Sequence, residues 1–321
     1  MEQSQKRKDI IKIAKLYYYG NLSQEQIAKL MGLSRPKVSR LLTEARELNI
    51  VQISVRDPNL SYEEQEEKLK QRFGLEYIRI VSSGTTDEIS KRNVGRAASD
   101  FLNDRIQEHT KIGISWGTTL CAFVREFQAR APVPNAKVVQ MVGGMYSQSL
   151  NIDGRELVKT LAAKLQCEHS LLQAPLLVRN PVLRELLMQE PSVIEHNEHV
   201  RTLDIAFVGL GYSYDFYKDS FTYRAEYMEE AEARQLREMG LVCDICGHQL
   251  LEDGTEPDTF LRNRVVGITL EELHRVPMVV GLCAGHRKAQ SILAALRGNY
   301  INGLILDEVA AISLIAAAGL S

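Results

Sequence analysis

The chain has 321 residues, 45% of them apolar and 25% charged, with a net charge of −2 at pH 7. This is the balance of an ordinary soluble globular protein, and the length is more than one core usually serves, so two domains are expected. No apolar run reaches the ~18 residues of a membrane helix, the opening MEQSQKRKDII lacks the apolar stretch of a secretory signal, and five scattered cysteines read as free thiols of a reducing cytosol.

The charge is uneven. Residues 1–57 hold 11 Lys+Arg and 6 Asp+Glu, and the remainder holds 28 and 35. A small basic head on an acidic body points to nucleic acid at the head. Its pattern agrees. Ile10, Ile13, Ala14, Leu16 and Tyr17 recur at helical spacing. Ser23 with Gln26 three residues later is a capping box, Ile27, Ala28, Leu30 and Met31 form an apolar face, and Gly32 ends that helix. A further helix follows, with Ser34 as a cap, Pro36 in its first turn and Val38, Leu41, Leu42 and Ala45 as the buried stripe. Two short helices joined by a tight glycine turn predict a helix-turn-helix. Ser34, Arg35, Lys37, Ser39 and Arg40 are then left at the start and outer face of the second helix, as a recognition helix offers cations and hydroxyls to phosphates and base edges. A three-helix bundle with a charged outside is the plainer alternative. IVQISVRD, 50–57, alternates and reads as a wing strand. Residues 58–75 read as a charged linker helix with Leu69 and Phe73 as its apolar points.

From residue 76 onward short β-rich runs (YIRIV, KIGIS, AKVVQMV, SLLQ, DIAFVGLG, LVCDICG, PMVVGLCAG) alternate with helical patterns at 86–107, 119–129, 154–166, 287–297 and 307–318. Alternation of this kind predicts an α/β domain, residues 76–321, with a mainly parallel sheet. Ligands of such sheets sit beyond the C-terminal strand ends. The exits are SWGTT, VGGM, GLGYS, CDICG and CAGHRKA, and their number points to one convergent pocket. GISWGTTL stands out, because a strand breaking at Gly117 before a helix leaves free N–H groups, a ready anion site. A capping role for Thr118 alone is the plainer reading.

The blocks LYYYGNLSQEQIAKLMGLSRPKVSRLLTEARELNIVQI, GISWGTTL, VVQMVGG, DIAFVGLG, CDICGHQLLEDG, VVGITLEEL and KAQSILAALRGNYINGLILDEVAA, in this order and spacing, resemble the SorC family of bacterial sugar-responsive transcription regulators. The resemblance implies a body similar to sugar-phosphate isomerases and CoA transferases that binds without catalysis, and a homo-oligomer, a tetramer built from dimers, on a palindromic operator. It assigns a phosphate to Gly117, Thr118 and Thr119, and a phosphate or sugar contact to Lys288, where Ala284 replaces one glycine of the family block. It assigns sugar hydroxyls to Asp244, with Cys243 where glycine is usual, and a place against the ligand to Val142, Gly143 and Gly144. One family member carries, near the position of Val142, a lysine that bonds its sugar covalently; a valine implies non-covalent binding.

Competing single features are weak. Cys243, Cys246 and His248 have no second Cys-x-x-Cys, so neither a metal nor a redox pair is expected. Gly209 and Gly211 supply only part of a dinucleotide fingerprint, and no cofactor is expected. His248 and His286 lie nearest the expected exits, with His248 counted among the sugar contacts. Two functions remain: a regulator, of repressor type, of a carbohydrate operon controlled by a sugar or sugar phosphate, or an isomerase-like enzyme with an appended DNA-binding head. The enzyme needs a general base. Asp244, Glu252 and Asp253 are the candidates, and no acid–base constellation surrounds them.

Overall fold

The computed structural model describes residues 2–48, 50–51, 61–145, 152–212 and 229–320. The chain divides into two compact units, Met1–Ser61 and Tyr62–Ser321.

In the first unit three helices, α1 (Glu2–Tyr18), α2 (Gln24–Met31) and α3 (Arg35–Glu47), surround one small core. Ile10, Ile13 and Ala14 of α1 meet Ile27 and Ala28 of α2 and Val38, Leu41, Leu42 and Ala45 of α3. Both halves of the capping box form: Gln26 N–H donates to Ser23 Oγ at 3.2 Å, and Ser23 N–H donates to Gln26 Oε1 at 2.8 Å. Gly32 closes α2 in the left-handed region at φ 63°, which a residue without Cβ adopts at little cost. The turn into α3 is therefore only three residues long. Of the strand expected over 50–57, Ile50 and Val51 pack against this core; residues 52–57 lie outside the described part.

The second unit begins with the helix of the expected linker, α4 (Glu63–Phe73). Leu69 is fully buried in the core of this unit, and Glu66 accepts from Ile80 N–H at 2.7 Å. The helix is thus built into the body instead of standing between two parts. Strands β1 (Tyr77–Val81), β2 (Lys111–Ile114), β3 (Lys137–Gln140), β4 (Glu168–Ser170), β5 (Ile205–Tyr212), β8 (Met278–Cys283) and β9 (Gly303–Asp307) form a parallel sheet in the order β1-β9-β8-β5-β2-β3-β4. Both faces are covered, which is why the strands read as nearly continuous apolar runs. Ala206, Val208, Leu210, Leu304 and Leu306 serve one core, and Ile205, Phe207, Val280, Leu282 and Ile305 the other, as alternation across a strand requires. β6 (Cys243–Ile245) and β7 (His248–Leu250) form an antiparallel hairpin on the far end of β5, where Gly211 pairs with Asp244. CDICG is therefore a strand and a hairpin turn, not the exit of a parallel strand.

The helices expected from pattern form as α5 (Asp87–Arg105), α6 (Thr118–Glu126), α7 (Gly154–Leu165), and, near the end of the chain, Ala289–Arg297 and Glu308–Ala317. β9 and the helices Pro181–Leu187, Pro191–Val200, Glu230–Glu238 and Leu270–His274 are additional to the expectation. After β2 the chain proceeds to β3 and β4, whereas after β5 it proceeds to β8 and β9 on the other side. The winding reverses between β2 and β5, and the C-terminal ends of strands at such a reversal are where sheets of this kind bind ligands.

Candidate functional site

At the β2 exit, Ser115 N–H still donates to Phe207 O of β5 at 3.2 Å, and the chain then leaves the sheet. Gly117 has φ 127°, a conformation that a side chain would strain, and a Cβ built there meets nothing within 4 Å. This glycine is required by its backbone, and the space beside it is open. It offers no side chain to cap α6. The first intrahelical bond runs from Cys121 N–H to Gly117 O at 2.9 Å, so the amides of Thr118, Thr119 and Leu120 precede the helical ladder. Thr118 is exposed and Thr119 buried. Apolar Leu120, Phe123 and Val124 hold α6 on the sheet and fix the direction of those amides.

The β5 and β8 exits lie beside it. Lys288 stands in the single 3-10 turn His286–Lys288 after β8, and its Nζ donates to Leu210 O near the end of β5. Burial pushes its ammonium below the ordinary lysine value. Asp244 lies across from Gly211 in the hairpin. Burial pushes its carboxyl above the usual aspartate value, opposed by the Gln249 amide, by Gly247 N–H and by the charge of Lys288. Its oxygens accept from Gln249 Nε2 at 2.7 Å and Gly247 N–H at 3.2 Å, and a carboxylate keeps further lone pairs beyond two such bonds.

Two groups that sequence reasoning missed hold this region. Asp307, almost fully buried at the end of β9, accepts from Gly285 N–H at 2.8 Å, from Ser83 Oγ at 2.9 Å and from Ala310 N–H at 3.2 Å. It ties the turn bearing Lys288 to the neighbouring strand and caps the helix Glu308–Ala317. An apolar run ending in an acid before a helical pattern is the signal for it. Gln249, also buried, orients Asp244 and has no partner for Oε1 among the described residues.

Other expected contacts are held elsewhere. Val142, Gly143 and Gly144 are buried and pinned by backbone bonds: Gly143 N–H to Val266 O at 2.9 Å, Gly144 N–H to Ala174 O at 2.8 Å and Leu176 N–H to Gly144 O at 2.8 Å. A Cβ at Gly143 would overlap the Pro175 carbonyl, and one at Gly144 the Arg155 guanidinium. These glycines admit a neighbouring chain segment. His248 is also committed. Its Nε2–H donates to Ile268 O at 3.0 Å, and Nδ1 meets Glu256 Oε1 at 2.6 Å. A sugar hydroxyl would have to displace one of these bonds, so His248 supports the hairpin. His286 is exposed. Glu252 and Asp253 are exposed, with Glu252 accepting from Arg297 and Asp253 from Thr255.

In the first unit Ser34, Arg35, Lys37, Ser39 and Arg40 are all exposed, at the start of α3 and along it, while Val38, Leu41 and Leu42 are buried. Among the described residues Arg35, Lys37 and Arg40 form no ion pair, so three cations at one helix end face solvent.

With this geometry in view, comparison with known proteins is informative. Residues 57–316 match the family model described as "Putative sugar-binding domain". The chain is 31% identical over 316 residues to the sorbitol operon regulator of Klebsiella pneumoniae, covering 96% of this chain and 98% of that one. It is 29% identical over 306 residues to the deoxyribonucleoside regulator of Bacillus subtilis, covering 95% and 96%. The crystal structure of the full-length sorbitol operon regulator SorC from Klebsiella pneumoniae superposes with a TM-score of 0.74 at 29% identity, covering 97% of this chain and 99% of that one. The chain belongs to the SorC family: it is a transcriptional regulator with a sugar-binding domain.

Proposed function

We propose that this regulator represses an operon for carbohydrate breakdown and that a phosphorylated sugar, bound at the reversal between β2 and β5, sets its affinity for DNA. The observation that carries this reading is the open glycine turn at the β2 exit, with three amides at its rim and the Lys288 cation at an adjacent exit. Gly117 lets a phosphate approach the backbone. The amides and hydroxyls of Thr118 and Thr119 donate to its oxygens, and Lys288 supplies counter-charge. Asp244 accepts from the sugar hydroxyls, with Gln249 orienting it. Val142, Gly143 and Gly144 form the packed wall behind the site, and His248 braces the hairpin.

The first unit acts as a helix-turn-helix head in which α3 enters the major groove, with Ser34, Arg35, Lys37, Ser39 and Arg40 toward phosphates and base edges. One such helix reads only a few base pairs. Affinity and specificity then require at least two heads, supplied by a homo-oligomer, a tetramer built from dimers, on a palindromic operator in the cytoplasm. The effector acts by binding two arrangements of the body unequally, since a ligand of equal affinity for both shifts nothing.

The test uses DNA selected from a random pool by the full chain. Deleting residues 1–57 should abolish binding to it and leave a thermal shift with sugar phosphates, about 2.7 kcal/mol at 100 times Kd. Retained DNA binding by the truncated chain contradicts the head. A thermal shift with every free sugar and none with its phosphate contradicts the phosphate site.

A further inference from the structure

α5 follows β1 and α6 follows β2, so both helices start at the sheet edge that carries the candidate site. They run side by side. Gly95 of α5 lies so close to α6 that a Cβ would come within 2.8 Å of Phe123 N, and Arg96 pairs with Glu126 at 2.7 Å. Arg92 is one turn before Arg96 on the same flank, and helical side chains lean toward the N-terminus of their helix. Arg92 therefore lies on the α6 side of α5, nearer the N-terminal end of α6 than Arg96 does. Its Nε is buried without a hydrogen-bond partner among the described residues. A buried guanidinium N–H left unpaired is costly, and such groups are normally satisfied.

Lys91 is the adjacent residue, a quarter turn away, on the face of α5 that covers the sheet. Ser90, Val94 and Ala98 of that face are buried. Lys91 lies close enough to Lys288 for its charge to add to the lowering of the Lys288 ammonium. Neither Lys91 nor Arg92 forms an ion pair among the described residues. The nearby carboxylates are engaged elsewhere or exposed: Asp307 accepts from Ser83, Gly285 and Ala310, Asp244 from Gln249 and Gly247, Glu88, one turn before Arg92, pairs with Arg125 at 3.3 Å, and Asp87, one turn before Lys91, is exposed.

We propose that Lys91 and Arg92 form a further wall of the anion site, closing it from the α5 side opposite Lys288, and that this wall selects a doubly charged phosphate monoester over a carboxylate or an uncharged sugar. This rests on the phosphate reading of the Gly117 turn and adds to it. Three cations around one cluster of amides repel one another until an anion enters, and a dianion relieves the repulsion more than a single charge does. The Arg92 fork would bind two phosphate oxygens, which a point cation does not.

The full chain is titrated with inorganic phosphate and, separately, with acetate, following Trp116 fluorescence and the unfolding midpoint. The wild type should respond to phosphate and not to acetate. Lys91→Met and Arg92→Met should each weaken phosphate binding about tenfold or more, and Arg92→Lys should recover only part of the loss. The unfolding midpoints without phosphate show whether each variant folds; Arg92→Lys serves as the reporter if Arg92→Met does not. Phosphate binding unchanged in the α5 variants but lost in Lys288→Met overturns the wall alone. Absence of any phosphate response in the wild type overturns the wall together with the phosphate site.

Discussion

Two glycine-bearing exits of the same sheet, Gly117 after β2 and Gly143 after β3, are built for opposite purposes. At Gly117 the backbone is in a conformation that suits glycine, and the space where a side chain would stand is open. At Gly143 the space is filled by the Pro175 carbonyl, and the segment is held by backbone bonds to Ala174, Val266 and Leu176. Glycine after a parallel strand thus has two distinct causes, a backbone conformation that suits it and close approach by another part of the chain. On the proposed reading the first is a binding turn and the second a packed wall.

The largest effect should fall on the packed side. Gly143→Ala forces a methyl into backbone and should lower stability by about 3 kcal/mol, read as a fall in the urea midpoint. An alanine tolerated there would mean that the segment moves freely, and the wall would become a candidate contact again. Next is Lys288→Met, which should weaken phosphate binding 10–100-fold, about 1.4–2.8 kcal/mol. Its pKa is lowered in the folded chain, so at neutral pH the fold carries a charge that burial disfavours. Removing the charge should leave the unliganded protein as stable or more so. Gly117→Ala comes third: the strained φ should lower stability by about 1–2 kcal/mol, with loss of the phosphate response and none of the packing damage of Gly143→Ala.

The smallest effect concerns Asp244. A carboxyl raised in the folded state binds its proton more tightly there than in the unfolded chain. Its ionisation therefore removes stability as pH rises from the unfolded aspartate value through the raised one. In Asp244→Asn this decline should disappear, and at pH 7 the variant should be no less stable while its response to sugar phosphates falls. A variant that loses stability at pH 7 would show Asp244 to be structural.

Much of this organisation was readable from residue types. Ser23, Gln26 and Gly32 marked α2 because caps act locally, and the α5, α6 and α7 patterns gave their helices to within a few residues. β9 escapes the pattern because a short strand buried on both faces has no alternation to mark it. The hairpin at Cys243–Leu250 was read as one strand, since its turn, Cys246-Gly247 with φ 55° and 87°, places a cysteine where asparagine or aspartate is usual. Val142 is assigned to the ligand by the family resemblance and His248 by its nearness to an expected strand exit. Their commitment to Glu256, Ile268 and the Gly267 bridge arises from segments more than a hundred residues apart for Val142 and up to 20 apart for His248, beyond any local signal. Arg92 was likewise invisible: a cation in a helical pattern reads as surface until the neighbouring helix is in place.

The central claim is that the Gly117 turn holds the phosphate of the effector. Trp116 precedes that turn and is the only tryptophan in the chain, so its fluorescence reports the site directly. The most direct measurement is a titration of the wild type and Lys288→Met with sugar phosphates and the corresponding free sugars. The account predicts a saturable change in the wild type with a phosphorylated sugar, a far weaker one with its free sugar, and one shifted to about 10–100-fold higher concentration in Lys288→Met. Equal responses to the free sugar and its phosphate, or an unchanged response in Lys288→Met, would contradict it.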